Sequence, residues 1–284
     1  MSNKEQFDVI EKIGNSLIQH GKINDRIYLM KLHSKDCPGI ISDLIKIAAE
    51  KNYSKLFAKI PSQEKDLFIK EGFVEEASIP KFFGNMNDVS FMSKFIDIKR
   101  KHLDTEAKKT IDKNIAIALE KADDNKTNSS NLEVKILEKD DASQLVNIYK
   151  QVFETYPFPI HDESYIKETM DSNLKYYGIY ENGILIAASS AEIDEKNKNA
   201  EMTDFAALPS ARGKGLANIL LKKMEQEMEQ IGIYSLYTIA RAHSVGMNVT
   251  FARAGYTYSG TLVNNTNISG KIESMNVWYK TLPV

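Results

Sequence analysis

The run Leu208-Pro209-Ser210-Ala211-Arg212-Gly213-Lys214-Gly215-Leu216-Ala217 joins an alternating apolar segment, residues 200–208, to an amphipathic one, residues 216–230. The first has the period of a strand. The second has the period of a helix, with Leu216, Ile219, Leu220, Met224 and Met228 on one stripe and Lys222, Lys223, Glu225 and Gln226 off it. Gly213 and Gly215 let the backbone come close to a ligand, and unpaired N–H groups at a helix start turn a positive dipole end toward phosphate oxygens. A strand, a glycine loop and a helix in that order make a pyrophosphate cradle. The loop is not a Walker loop, because G-x-x-x-x-G-K-S/T is absent. Nor is it a dinucleotide fingerprint, because the next glycine after Gly215 is Gly232. Taken alone, Arg-Gly-Lys-Gly also suits a glycine-capped turn at the surface.

Reading outward from this loop, residues 132–136 alternate as a strand, and residues 142–153 and 163–170 form two helices separated by Tyr156-Pro157-Phe158-Pro159. Residues 175–180, 184–193 and 200–208 follow as a three-strand meander with turns at Glu181-Asn182-Gly183 and residues 194–199. After the long helix come a strand at 234–240, a short helix at 244–254 closed by Gly255, and strands at 256–262 and 274–280. Upstream, residues 27–32, 40–49 and 56–60 read strand, helix, strand. An amphipathic helix at 105–121 leads into a polar stretch at 122–130, which sets a boundary between domains at 1–130 and 131–284.

The chain has 284 residues, 37 Lys and Arg against 39 Asp and Glu, and 42% hydrophobic residues, a globular composition long enough for two cores. A net charge of −2 argues against nucleic-acid binding as the main task, which needs a basic face. Cys37 is the one cysteine, so no intramolecular disulfide or cysteine-based metal cluster is possible within one chain. No apolar run approaches the ~18 residues of a membrane span, and the first residues lack a signal pattern. These features together predict a cytoplasmic protein with no metal.

Arg212-Gly213-Lys214-Gly215-Leu216-Ala217 resembles the R-x-x-G-x-G/A signature of the GCN5-related N-acetyltransferase (GNAT) superfamily. Leu208-Pro209 is similar to the family's V-x-P lead-in, and Phe251-Ala252-Arg253-Ala254-Gly255-Tyr256 resembles its Y-x-x-x-G-F landmark. The resemblance covers residues 131–284 and implies an α/β (α+β) fold with a mixed, mostly antiparallel sheet. It also implies acetyl-CoA as co-substrate. The pyrophosphate would sit on residues 212–217, the pantetheine along the bulged strand end at Phe205, Ala206, Ala207 and Leu208, and the thioester beside Asn248 and Phe251.

In this reading a neutral amine attacks the thioester. An ammonium with pKa near 10.4 is only about one part in a thousand neutral at physiological pH, so a base helps. Glu201 resembles the family's base. Strand alternation puts Glu201, Thr203 and Phe205 on one face and Asp204 on the other, which argues against the two carboxylates acting together. Asp204 either binds a cationic substrate group or ties the strand to a turn. Phe251 stands where many members carry a Tyr acid, so either Tyr256 substitutes for it or no acid is needed, since a thiolate with pKa near 8.5 leaves tolerably.

Residues 149–160, 200–217 and 240–256 resemble the β-lysine acetyltransferases, a family with an extra N-terminal domain. That resemblance implies acetylation of a small-molecule amine, the side chain of β-lysine, in compatible-solute synthesis. Tyr156 and Phe158 would wall the amine channel or simply pack two helices on the sheet. Arg241 would hold the substrate carboxylate or point into solvent. Phe68-Ile69-Lys70-Glu71-Gly72-Phe73 echoes residues 251–256, so the N-terminal domain reads as a degenerate half of the same fold without a phosphate loop. Asp36-Cys37-Pro38-Gly39 offers a rival resemblance to a small-molecule-sensing ACT domain. Packing or substrate-lid duty is expected of this domain, and sheet-edge pairing makes a homodimer plausible. Another small amine or a protein lysine as acceptor, and a silent CoA-binding sensor, are the competing functions.

Overall fold

A computed structural model of the chain describes residues 7–122 and 132–283, so the expected linker lies almost wholly outside the described residues. The first half contains β1 (Val9–Ile13), β2 (Ser16–Gly21), β3 (Arg26–Lys31), α1 (Gly39–Lys51), β4 (Lys55–Pro61), α2 (Lys65–Lys70), β5 (Val74–Phe83) and β6 (Asn87–Phe95). Its sheet runs β1-β2-β3-β4-β6-β5, with β3 and β4 parallel and the other pairs antiparallel. Then come α3 (Thr105–Glu120), β7 (Val134–Leu137), α4 (Ala142–Val152), α5 (Glu163–Met170), β8 (Leu174–Glu181), β9 (Ile184–Asp194) and β10 (Asn199–Ala207). The chain continues through α6 (Leu216–Gln230), β11 (Ser235–Arg241), α7 (Val245–Arg253), β12 (Thr257–Ile268) and β13 (Lys271–Thr281). The second sheet runs β12-β13-β11-β10-β9-β8-β7, and its one parallel pair is β10 with β11.

The two sheets have the same plan. In each, a three-strand meander feeds a helix, a strand returns parallel to the last meander strand, and a short helix leads to two strands of which the second inserts between its partner and the return strand. In register, Arg26↔Lys55, Ile27↔Leu56 and Tyr28↔Phe57 correspond to Asn199↔Ser235, Ala200↔Leu236 and Glu201↔Tyr237. The echoed landmark is built alike in both. Gly72 (φ +82°) and Gly255 (φ +81°) end α2 and α7. Phe73 and Tyr256 donate their N–H to Phe68 and Phe251, each at 3.1 Å. The two ring pairs meet edge-on at 5.1 and 5.0 Å. The first sheet is therefore a half-copy of the second, and residues 32–38 replace the glycine loop with Leu32-His33-Ser34-Lys35-Asp36-Cys37-Pro38. The ACT-like alternative has no place in this topology.

One face of the first sheet packs on α1 and α2 through Ile27, Leu29, Leu44, Leu56 and Phe68. Its other face carries Tyr28, Phe57, Ile79 and Phe91 into a common core with Tyr149, Tyr176, Tyr237 and Leu262 of the second half. The opposite face of the second sheet buries Leu216, Leu220, Met224 and Met228 of α6. Helix α3, grouped by sequence with the first domain, packs on the second half: Asn114 donates to the Ala242 carbonyl at 3.1 Å, and Ala118 joins the α6 core.

Strand β12, twelve residues long, straps the halves together. Its Ser259 hydroxyl accepts from the Ser78 N–H at 2.9 Å. Gly260 runs so close to β5 that a Cβ there would lie 2.0 Å from the Glu76 carbonyl oxygen. Fully buried Lys55 donates to Glu76 (3.1 Å) and to the Val263 carbonyl (2.7 Å), while Glu76 accepts from the Val263 N–H (2.8 Å). A buried charge needs such complete pairing. No helix among the described residues is long and apolar enough to cross a membrane, and none of their His, Cys, Asp and Glu side chains cluster as metal ligands.

Candidate active site

The loop before α6 has the backbone that its glycines require. Gly213 (φ +80°) and Gly215 (φ +75°) are left-handed, and no side chain caps the helix start that Gly215 begins. Arg212 donates from Nε to the Ala207 carbonyl at 3.4 Å, and Lys214 pairs at 3.5 Å with Glu181, with both partners about half-exposed. Two cations thus flank an uncapped helix start.

Beside it, β10 and β11 pair only from Asn199 to Glu201 and then part. On the β9 side the register slips between Thr203 and Ala206, leaving Asp204 and Phe205 as a bulge with Asp204 at φ +55°. The parted strands enclose a cavity of about 80 Å³ lined by Asp204, Phe205, Thr238, Ala240, Arg241 and Phe251. The bulge also overturns the expected strand alternation. Phe205 packs toward the α6 side, edge-on to Phe251 at 5.6 Å. Asp204, placed by simple alternation on the face away from Glu201, instead lines the same cavity as Glu201 and Thr203. Ala206 packs with the α4 core, Ala207 with the α6 core, and Leu208 touches both.

That larger cavity, about 360 Å³, has Glu192, Glu201 and Asp204 on its second-sheet floor, Tyr156 and Phe158 at its side, and Arg26, Tyr28, Phe57 and Lys59 of the first sheet as its roof. Burial first, and then Glu192 directly opposite on β9, pushes the Glu201 carboxyl up to about 7. Lys59 and a hydrogen bond from Tyr237 oppose that rise. Burial works against the Lys59 ammonium, yet Tyr237, Tyr28, Glu192 and Glu201 hold its pKa well above the usual value. Its Nζ donates to the Tyr237 hydroxyl at 3.1 Å. Asp204 is buried and its pKa raised for that reason. The Ser190 hydroxyl (2.5 Å) and the Tyr156 hydroxyl, both donating to it, oppose the rise. A carboxyl titrating near neutrality, beside a gap between two strands, can take a proton from an ammonium at physiological pH.

Other expected positions fare differently. Tyr156 lines the larger cavity and donates its hydroxyl to Asp204, and Tyr156 and Phe158 both pack against the core of Tyr149, Phe153 and Ile160. Arg241 does not enter the larger cavity: its side chain, about 31% exposed, has Nε and Nη2 each 2.9 Å from buried Glu273, which neutralises it. Asn248, expected beside the thioester, has its amide fully engaged within the fold. It donates to the Arg241 and Ser244 carbonyls and accepts from Asn276 and Trp278, at 2.8–3.1 Å. Tyr256 is buried against Phe251 and lines neither cavity. Sequence reading missed Glu192, whose signal was its place opposite Glu201 across a hairpin-connected pair. It also missed Arg26, Tyr28 and Lys59, for which the only hint was Lys59 inside the apolar run Leu56-Phe57-Ala58-Lys59-Ile60.

Comparison with known proteins adds to this geometry. Residues 142–256 match the Acetyltransferase (GNAT) family. The chain is 44% identical to the β-lysine N(6)-acetyltransferase of Methanococcus maripaludis, over 96% of this chain and 99% of that one. It is 31% identical to the N-acetyltransferase YodP of Bacillus subtilis, over 94% and 96% of the two chains. Among solved structures, yncA of Salmonella typhimurium with its cofactor acetyl-CoA aligns over 55% of this chain and 96% of that one, at 15% identity and a TM-score of 0.48.

Proposed function

The chain belongs to the acetyltransferase (GNAT) family, and from that premise we propose that it moves the acetyl group of acetyl-CoA to the side-chain amine of β-lysine. One observation carries the mechanism: Glu201, with its pKa near 7, stands where β10 and β11 begin to part. Acetyl-CoA would lie with its pyrophosphate on residues 212–217, its pantetheine along residues 205–208 and its thioester in the small cavity beside Phe251. Glu201 accepts the ammonium proton. The freed lone pair attacks the thioester carbonyl, the C–S bond breaks, and CoA leaves as the thiolate; the second proton, still on the attacking nitrogen, is lost as the amide forms and passes to that thiolate or to water, with no protein acid assigned to it.

Asp204, held by Tyr156 and Ser190, lies on the floor of both cavities and would orient the reacting amine. The likeness to a β-lysine N(6)-acetyltransferase along nearly the whole chain supports this acceptor, and the roofed cavity suits a small molecule better than a protein lysine. The product would be a compatible solute made in the cytoplasm. Exposed edge strand β1 is where a second copy would pair. The test is to incubate the purified protein with acetyl-CoA and equimolar β-lysine, lysine, ornithine, a polyamine and a lysine peptide, then fragment the products by mass spectrometry. Acetyl on the terminal amine of β-lysine alone is expected. Acetyl-CoA binding without transfer to any amine would leave a cofactor-binding protein and remove the proposal.

A further inference from the structure

We infer that Arg26 of the first sheet is the carboxylate-binding residue of the acceptor pocket, so that the enzyme selects amino acids over diamines of the same length. The inference deepens the acceptor reading above and rests on it for the location of the site.

Arg26 is 4% exposed and lines the larger cavity. Among the described residues, no carboxylate lies within 4 Å of its guanidinium. Its Nη1 donates to the Asn265 carbonyl (2.5 Å) and to Thr266 Oγ1 (3.1 Å), both on β12, while Nε has no partner within the protein. The guanidinium carbon lies 5.4 and 5.5 Å from the ring centres of Tyr28 and Phe57, which fix its plane. Asp8 acts on it only from beyond ion-pair distance, and a cation buried this deeply without a direct anion partner is costly. Two more orphans share the wall: Gln19 Oε1 and Asn265 Oδ1 are buried acceptors without a donor. A free N–H donor on a cation beside two free acceptors is complementary to a carboxylate with an ammonium close by, the non-reacting end of β-lysine. Arg241, the sequence's candidate for this role, is already neutralised by Glu273.

The test measures kcat/KM for three pairs that differ by the carboxylate alone: β-lysine against 1,4-diaminopentane, lysine against 1,5-diaminopentane, and ornithine against 1,4-diaminobutane. Wild type, Arg26→Met and Arg26→Lys are compared, each checked for a folded melting transition. The expected wild-type preference for the acid in its productive pair is about 100-fold, typical of a buried charged group left unpaired by the wrong substrate. Arg26→Met should bring it below about tenfold by raising KM for the acid, with KM for acetyl-CoA unchanged. Arg26→Lys, which keeps the charge but not the planar fork, should fall between, and it carries the test should the Met variant not fold. Equal losses on both members of a pair, or no wild-type preference in any pair, would overturn the inference and leave Arg26 as a brace to β12. If lysine or ornithine proves the productive acid, the β-lysine assignment fails while the Arg26 inference stands.

Discussion

Replacing Glu201 by Gln removes the proposed base at nearly constant volume. With its pKa at about 7, raised first by burial and then by Glu192, the wild-type carboxyl is about 9% ionised at pH 6, about half at pH 7 and about 91% at pH 8. A base works only when deprotonated, so kcat/KM should rise about fivefold from pH 6 to 7 and less than twofold from 7 to 8. Glu201→Gln should lose about 10²- to 10⁴-fold at pH 7. Its residual rate should then follow the free amine, climbing about tenfold per pH unit toward the ammonium pKa near 10.4. The assay is initial-rate release of CoA at saturating acetyl-CoA, from pH 5.5 to 9.5. A variant within twofold of wild type at pH 7, with the same bend near 7, would refute the assignment and move the base to Glu192 or Asp204. Stability supplies a second readout. A raised folded pKa means that stability present below the ordinary value of 4.5 is lost as pH rises through 7. The variant should therefore melt higher than wild type at pH 8, and the gap should close toward pH 4.5.

Gly213→Ala meets no atom within 4 Å, so its cost is the left-handed backbone alone, about 1–2 kcal/mol; KM for acetyl-CoA should rise, and the thermal shift given by acetyl-CoA should shrink. Tyr156→Phe removes a hydroxyl donor from buried Asp204 and should cost about 1–3 kcal/mol in a denaturant titration. That change also lets the Asp204 pKa climb further, so KM for the amine should worsen most at low pH. Gly260→Ala would put a methyl 2.0 Å from the Glu76 carbonyl, and an overpacking cost of about 1–3 kcal/mol should lower Tm by several degrees. The same change should raise KM for the amine more than for acetyl-CoA, because Asn265 and Thr266 of β12 hold Arg26 in the roof of the acceptor cavity.

Much of the second half was legible in the sequence because its signals are local. The helix at 163–170 and the long helix at 216–230 carry their periodicity and caps within one segment, and the structure gives the same bounds. Asp204 was misplaced because alternation assumes an unbroken strand, and a bulge inverts the faces beyond it without any glycine or proline to announce it. Strands β1, β2, β5 and β6 went unread, although the Phe68–Phe73 echo pointed to the repeat that contains β5 and β6. The acceptor roof was beyond reach for another reason: its contacts, such as Arg26 with Thr266, join residues 240 positions apart, and nothing in either local run encodes the other.

The repeated plan places Tyr28 at the register position that Glu201 occupies in the other sheet, and both face one cavity. With the site as proposed, the chain would divide its labour between two look-alike halves. On the proposed reading the half with the glycine loop would hold the cofactor and the proton acceptor, whereas the half without it carries a phenol whose pKa burial raises above its ordinary value. Acceptor choice can then change through the roof while the chemistry below stays fixed. Exchanging residues 9–95 for the matching segment of a relative with a different acceptor should transplant that preference and leave the acetyl-CoA affinity where it was.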